Sequence, residues 1–263
     1  PSSVLPRKMK TNSNDTYNQV YARYYDILCA HKNYADEAKS LNTLIESHSV
    51  GQTTPIIDIG CGTGCHAISL SYLRTNPITG FDISEAMISE AQSKDSSIDF
   101  VNGDIEKISA QKFSFAFSLF NVVNCLSTTD ELFKFLTQIN RILKNKSYFF
   151  FECWHQEAIL KNPPIAIERK FQDDGKIFTR LAEPDISEIT RSKLRLNYQI
   201  EIINNTGNRE TFSTTHRLRL FSRNEISECL KAAGFRLISS HSALPHITKI
   251  TEKDRMISIL AST

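Results

Sequence analysis

The chain has 263 residues, of which 40% are hydrophobic and 23% charged, and its formal net charge is +2. That length suits one large domain, or one domain with an inserted subdomain, and the near-balanced charge excludes the basic stripe of a protein that grips nucleic-acid phosphates. No segment reaches the roughly 20 apolar residues of a membrane span, and the six cysteines form no CxxC pair, which argues against a spanning protein, disulfides and zinc.

Residues 1–14 are polar and read as a loose arm; they lack the apolar core of a secretion signal, so the expected location is the cytoplasm. From Asp15 onward Tyr17, Val20, Tyr21, Tyr24 and Leu28 recur at helical spacing, and Tyr34, Ala38, Leu41, Leu44 and Ile45 continue with a second helix. Core packing explains such an aromatic stripe, and so does a lid over the turn that follows. Ile56, Ile57 and Ile59 then form a short buried strand that runs into Gly60, Gly62 and Gly64 and opens a helix. Alternate glycines let backbone approach a ligand where side chains would collide, and the helix start offers free N–H groups. Cys61 and Cys65 stand four apart there without clustered partners, so no metal is expected.

A crossover helix carrying Ala67, Ile68, Leu70 and Leu73 leads to a second strand at 77–81 that ends on Asp82. Asp82 lies 24 residues past Asp58, where a βαβ unit delivers an acid to ribose hydroxyls. Ser84 caps a helix over 84–94, and a third strand at 98–101 ends near Gly103 and Asp104, so a carboxylate sits at the end of each of three strands. Strand four covers 113–119 and runs into Phe120. A helix from about Asp130 follows, and strand five, 148–151, ends at Glu152, Cys153, Trp154 and His155. Five strand–helix alternations predict an α/β fold, a doubly wound parallel sheet with its ligand at the C-terminal strand ends.

Between 165 and 220 the pattern alternates, with turn residues at 173–175 and 204–207, which predicts an inserted antiparallel sheet of three or four strands. Inserted after strand five, it roofs the site or builds a subunit interface. Ser222 and Glu225 make a capping box, Gly234 ends that helix, and the last strands cover about 235–242 and 255–261. The division is an arm and helical lid at 1–50, a ligand-binding domain at 51–160 and 221–263, and an inserted β-subdomain at 161–220.

A dinucleotide fingerprint needs a small residue at 65, whereas this chain has Cys65, with its third glycine one place earlier. The string DIGCGTG at 58–64, the acid Asp82, the Gly103 and Asp104 pair, and Ala-Gly-Phe at 233–235 resemble, in order and spacing, the class I S-adenosylmethionine-dependent methyltransferases. The resemblance implies a Rossmann-like sheet and S-adenosylmethionine as cofactor. It implies Asp58 and the backbone of Gly60, Cys61, Gly62 and Gly64 at the methionine part, and Asp82 on the ribose. Ile83 and Met87 then lie near the adenine, Asp104 and Ile105 at its amino group and ring, and Phe120 near the cofactor.

Residues 24–28, 32–38, 119–126, 152–154 and 215–221 are similar to bacterial N,N-dimethyltransferases of nucleotide-linked aminodeoxysugars. This narrower resemblance implies a homodimer, N-methylation of a small-molecule amino sugar, and an active-site tyrosine at Tyr25. Cys125 stands where that family has a histidine, and Cys153 and Trp154 fall near its two tryptophans.

Methyl transfer needs a nucleophile held in line with the S–CH3 bond and water excluded. An amine must also shed its proton, and Tyr25, Glu152, His155 and His216 are the candidates for positioning the acceptor or taking that proton. The Tyr25 ring is also a candidate to lie against the sulfonium. A satisfied strand histidine describes His216 equally well, and Trp154 suits a core as well as a substrate platform. Arg217 and Arg219 share a sheet face, solvated or clamping a diphosphate. The Asn-Pro-Pro at 162–164 follows strand five and precedes Ile165, unlike the signature of amino-methylating nucleic-acid enzymes. An O-methyltransferase, an amino-acid-type N-methyltransferase and a non-catalytic adenosylmethionine-binding protein stay open. An NAD oxidoreductase requires the glycine pattern to mislead.

Overall fold

The computed structural model describes residues 16–48 and 50–263; the arm expected at 1–14 lies outside the described residues. Two helices come first, α1 (Gln19–Leu28) and α2 (Tyr34–Ser47). Each starts on an asparagine, Asn18 and Asn33, whose side chain accepts from a backbone N–H of the first turn. The chain continues as β1 (Ile56–Ile59), α3 (Cys65–Ser71), β2 (Ile78–Asp82), α4 (Glu85–Lys94), β3 (Asp99–Asn102), β4 (Phe113–Ser118), α5 (Thr129–Ile142) and β5 (Leu143–Trp154). A short α6 (Gln156–Lys161) leads to β6 (Ile167–Asp173), β7 (Lys176–Asp185), β8 (Lys193–Ile203) and β9 (Arg209–Arg219). Then come α7 (Arg223–Ala232), β10 (Arg236–Ser242) and β11 (Met256–Ser262).

Seven strands form one sheet in the order β10-β11-β5-β4-β1-β2-β3. β1 to β5 pair in parallel, while β11 runs antiparallel to β5 and β10 to β11. Strand order reverses between β1 and β4, which opens the ligand crevice at their C-terminal ends. Alternation along β5 splits the core. Phe149 and Phe151 pack with Leu132, Leu136 and Ile139 of α5 on one face; Phe150 packs with Leu41, Ala67 and Ile88 on the other. β5 starts five residues before the expected strand, because Lys144, Asn145 and Lys146 are exposed and Lys146 sits at φ 60° in a bulge against β4.

β6 to β9 form the separate four-stranded antiparallel sheet, with hairpin turns at Gly175 and Gly207. Its apolar face, with Phe178, Ile200, Ile202 and Phe212, packs on Tyr21, Ala22 and Leu28 of α1 and on Met87 of α4. Arg180 of this sheet donates to Leu28 O at 2.6 Å and so ends α1. The inserted sheet thus backs the lid helix. Among the described residues no helix is long and apolar enough to cross a membrane.

Candidate active site

A cavity of about 530 Å³ lies at the C-terminal ends of β1 to β4, beneath α1 and α2. Three acids line it in sheet order: Asp58 on β1, Asp82 at the end of β2 and Asp104 after β3. Asp58 is 2% exposed, and its Oδ2 is buried with no partner. Burial, helped by the charge of Asp82, pushes its carboxyl well above the usual range. Asp82 is spent partly on architecture: Oδ2 accepts from Gly62 N and Oδ1 from Ser84 N, both at 2.9 Å. Asp104 is exposed and caps a 3-10 turn by accepting from Glu106 N at 3.0 Å.

The alternate glycines have separate reasons. At Gly62 a Cβ would meet nothing within 4 Å, so the turn leaves open space for a ligand. At Gly64 a Cβ would fall 2.6 Å from Phe100 Cζ, and Gly64 does not line the cavity. Its bare backbone serves the packing of α3 against β3. The other cofactor candidates, Tyr25, Gly60, Cys61, Ile83, Met87, Ile105 and Phe120, all line the cavity. Ile83 is 82% exposed at the rim, an apolar side chain placed to cover a flat ring. Phe120 and Asn121 hold φ of 59° and 69°, a strained pair of non-glycine residues at the end of β4.

Of the four residues proposed for chemistry, only Tyr25 reaches the cavity. Its ring stands edge-on to Phe120, and burial pushes its hydroxyl well above the ordinary phenol range, so it stays protonated. Glu152 is 2% exposed and does not line the cavity; it accepts from Leu244 N at 2.7 Å. Burial raises its carboxyl to about 7, against the lowering effect of Lys32. His155 turns away: Nδ1 is 3.0 Å from Asp254 O and Nε2 3.3 Å from Glu157 Oε2. His216 is half-buried among Tyr17, Tyr21 and Tyr198, one layer behind the cavity wall. Of the two sheet arginines, Arg219 pairs with Glu225 at 3.0 Å, while Arg217 is exposed.

The cavity also uses residues that pattern reading had not assigned. Tyr17, Tyr34, His66 and Cys125 line it. His66 Nε2 and Glu37 Oε2 are 2.6 Å apart, Glu37 also pairs with Lys32 at 3.0 Å, and the Lys32 ammonium stands 4.2 Å over the Phe120 ring. Glu37 is 7% exposed, a buried acid whose charge is met by both partners. Cys61 and Cys65 do not converge on a metal. Cys65 Sγ contacts Asp26 and Lys94, and among the described residues no cluster of three or more His, Cys, Asp or Glu could hold one.

Residues 56–146 match the family model described as a methyltransferase domain. The protein YqeM of Bacillus subtilis (strain 168), whose methyltransferase role is itself an assignment, is 28% identical over 225 residues, 83% of this chain and 86% of that protein. Among solved structures, the sugar N-methyltransferase KedS8 from Streptoalloteichus sp. ATCC 53650 superposes with a TM-score of 0.76 at 18% identity, covering 97% of this chain and 98% of that one. CalS10, an amino pentose methyltransferase from Micromonospora echinaspora solved with S-adenosylmethionine bound, gives 0.73 at 19% identity over 96% and 100%. The residues present fit that cofactor. The orphaned Asp58 Oδ2 suits an ammonium group, Asp82 and Asp104 lie farther along the same cavity, and the space at Gly62 is what a close-lying ligand requires. Domain match and fold agree: residues 56–146 match a methyltransferase domain, within a fold similar to that of solved S-adenosylmethionine-dependent methyltransferases.

Proposed function

We propose that the chain methylates the amine of a small polar acceptor, an amino sugar carried on a nucleotide. When bound, S-adenosylmethionine supplies a methyl group to a nucleophile, the S–CH3 bond breaking with its electron pair kept by sulfur. The observation that carries the amine reading is that, among the described residues of the wall, the three carboxylates are those that fit the cofactor and no further strong base is left for the acceptor. Burial raises the pKa of Tyr17, Tyr25, Tyr34, Cys61, Cys65 and Cys125, so these stay protonated near neutral pH. His66 lines the cavity beside the glycine turn, but its ring is tied to Glu37. A hydroxyl acceptor has to lose its proton as it reacts, which favours a site with a base. An uncharged amine brings its own lone pair and passes its surplus proton to water afterwards. What supports the sugar is the likeness of the whole fold, inserted sheet included, to KedS8 and CalS10.

The test is mass spectrometry of reactions of purified protein with S-adenosylmethionine and matched nucleotide-linked amino and hydroxy sugars. Methylation of the amino members alone is expected. Methylation of the hydroxy members alone would overturn the amine reading, and methylation of neither would overturn the sugar.

A further inference from the structure

Arg180 of β7 is 8% exposed, and among the described residues no acid pairs with it. Its guanidinium donates to Leu28 O at 2.6 Å, its Nε is buried without a partner, and its Cζ stands 5.7 and 5.5 Å from the ring centres of Phe171 and Tyr198. A carbonyl and two aromatic faces steady a cation but leave its charge uncompensated. Other arginines of the inserted sheet are met by acids. Arg195, Arg209 and Arg219 each have a carboxylate oxygen within 3.0 Å, from Asp185, Glu201 and Glu225.

A second cation stands beside Arg180. Arg169 of β6 is its register partner, so both side chains leave the same face of the sheet, the one that carries Phe178 toward α1. Like charges directly opposite on neighbouring strands repel, and Arg169 is exposed, with no ion pair among the described residues. His31, in the turn between α1 and α2, sets its ring 6.3 Å from Phe171. Partial burial, then the charges of Arg169, Arg180 and Lys32, hold its pKa down at about 4, so it belongs to the same group of cations. Neighbouring acids are committed elsewhere. Glu37 is taken by Lys32 and His66, and Glu168, one residue before Arg169, leaves the opposite face and pairs with Lys170 at 3.7 Å.

We propose that Arg169 and Arg180 form a phosphate-binding site between the inserted sheet and the turn joining α1 to α2, outside the cavity of the candidate active site. None of Arg169, Arg180 and His31 lines that cavity. Charge and donors point to phosphate. A phosphate dianion balances both guanidinium charges and has oxygens enough for two forks, whereas one carboxylate balances a single arginine. Bound there, it ties β6 and β7 to the C-terminal end of the lid helix through Arg180 and Leu28 O. Two sources carry such a group: free inorganic phosphate and the diphosphate of a nucleotide.

The test uses the whole chain without cofactor, melted and titrated with inorganic phosphate, a nucleoside diphosphate or chloride at matched ionic strength. Saturating phosphate is expected to raise the melting temperature by about 5 °C or more over chloride. Arg169→Gln removes an exposed side chain and leaves the core closed. In phosphate-free buffer it is expected to melt at or above wild type, because a like charge is gone, and its phosphate affinity is expected to fall by ~tenfold. His31 gives a second readout: its pKa, followed by NMR, is expected to rise by about one unit or more on saturation with phosphate, since the anion offsets the arginine charges. Equal melting in phosphate and chloride, a phosphate response unchanged in Arg169→Gln, or a His31 pKa that does not move would each overturn the proposal. A nucleoside diphosphate that binds ~tenfold tighter than inorganic phosphate, a preference lost in Arg169→Gln, assigns the site to a nucleotide; equal or weaker binding assigns it to free phosphate.

Discussion

The hydroxyl of Thr63, inside the glycine turn, donates to the Asp26 carboxylate of α1 at 2.5 Å. The same carboxylate takes Lys94 Nζ of α4 at 2.6 Å and Cys65 Sγ at 3.4 Å. One acid therefore joins the lid helix, the turn and the neighbouring crossover. Glu37 repeats the arrangement from α2 through His66. The lid is latched to the element that carries the ligand-facing backbone, so lid order and ligand binding are coupled.

Thr63→Val should loosen that latch. Thr63 is buried, and a hydrogen bond to a charged group contributes about 1.5–3 kcal/mol; partial exposure of Asp26 places the effect at the low end. Calorimetry should show adenosylhomocysteine binding weakened by ~tenfold, with a small change in melting temperature. Unchanged affinity would mean that the latch does not bear on the cofactor.

Two glycines two residues apart should respond differently to alanine. Gly62→Ala puts its methyl into the open cavity and should weaken cofactor binding by more than ~tenfold, with a stability loss of about 1 kcal/mol for the positive φ. Gly64→Ala meets the Phe100 ring at 2.6 Å and should lower stability by roughly 2 kcal/mol or more. Urea melts and titration of both variants separate the two roles.

Asp58→Asn should leave the cofactor-free protein at least as stable as wild type at pH 8. The folded-state pKa of Asp58 is raised, so its contribution is present below the ordinary carboxylate pKa and lost as pH rises. The same substitution should weaken adenosylhomocysteine binding by ~10- to 100-fold, because the charge meant for the ligand is gone. Lower stability together with full affinity would contradict both halves.

Glu152 sets a pH dependence of the same sign. Its folded pKa of about 7 stands above the 4.5 of an ordinary glutamate. Its contribution is therefore full below about pH 4.5, is eroded as pH climbs, and is gone above about 7, a swing on the order of 3 kcal/mol. Glu152→Gln keeps an acceptor for Leu244 N and removes the titration. Its stability relative to wild type should rise by about 2 kcal/mol between pH 5 and 8; an equal difference at both values would contradict the raised pKa.

Much of the fold was legible because its signals are local. Ser84 and Ser222 cap their helices, and Gly175 and Gly207 turn the hairpins where their dipeptides stand. The three acids at strand ends were legible because sheet order carries them to one edge. What pattern could not supply was direction and long-range pairing. Glu152 and His155 do sit at the end of β5, but one is taken by the 244 N–H and the other by the 254 carbonyl. The Gly64 requirement comes from Phe100, 36 residues away, and reading all the glycines as ligand-facing assigned it the wrong neighbour. The polarity of 144–146 hid the start of β5. Tyr34 and His66 meet only because α2 folds over α3.

The most direct measurement is a crystal structure of the protein with adenosylhomocysteine and an amino-sugar acceptor. The ligand amino group is expected at Asp58, the ribose at Asp82 and the adenine between Ile83 and Ile105, with the acceptor at the end lined by Tyr17, Tyr25 and Tyr34. A cofactor bound away from the Asp58, Asp82 and Asp104 row, or an acceptor seated outside the tyrosine-lined end, would contradict it.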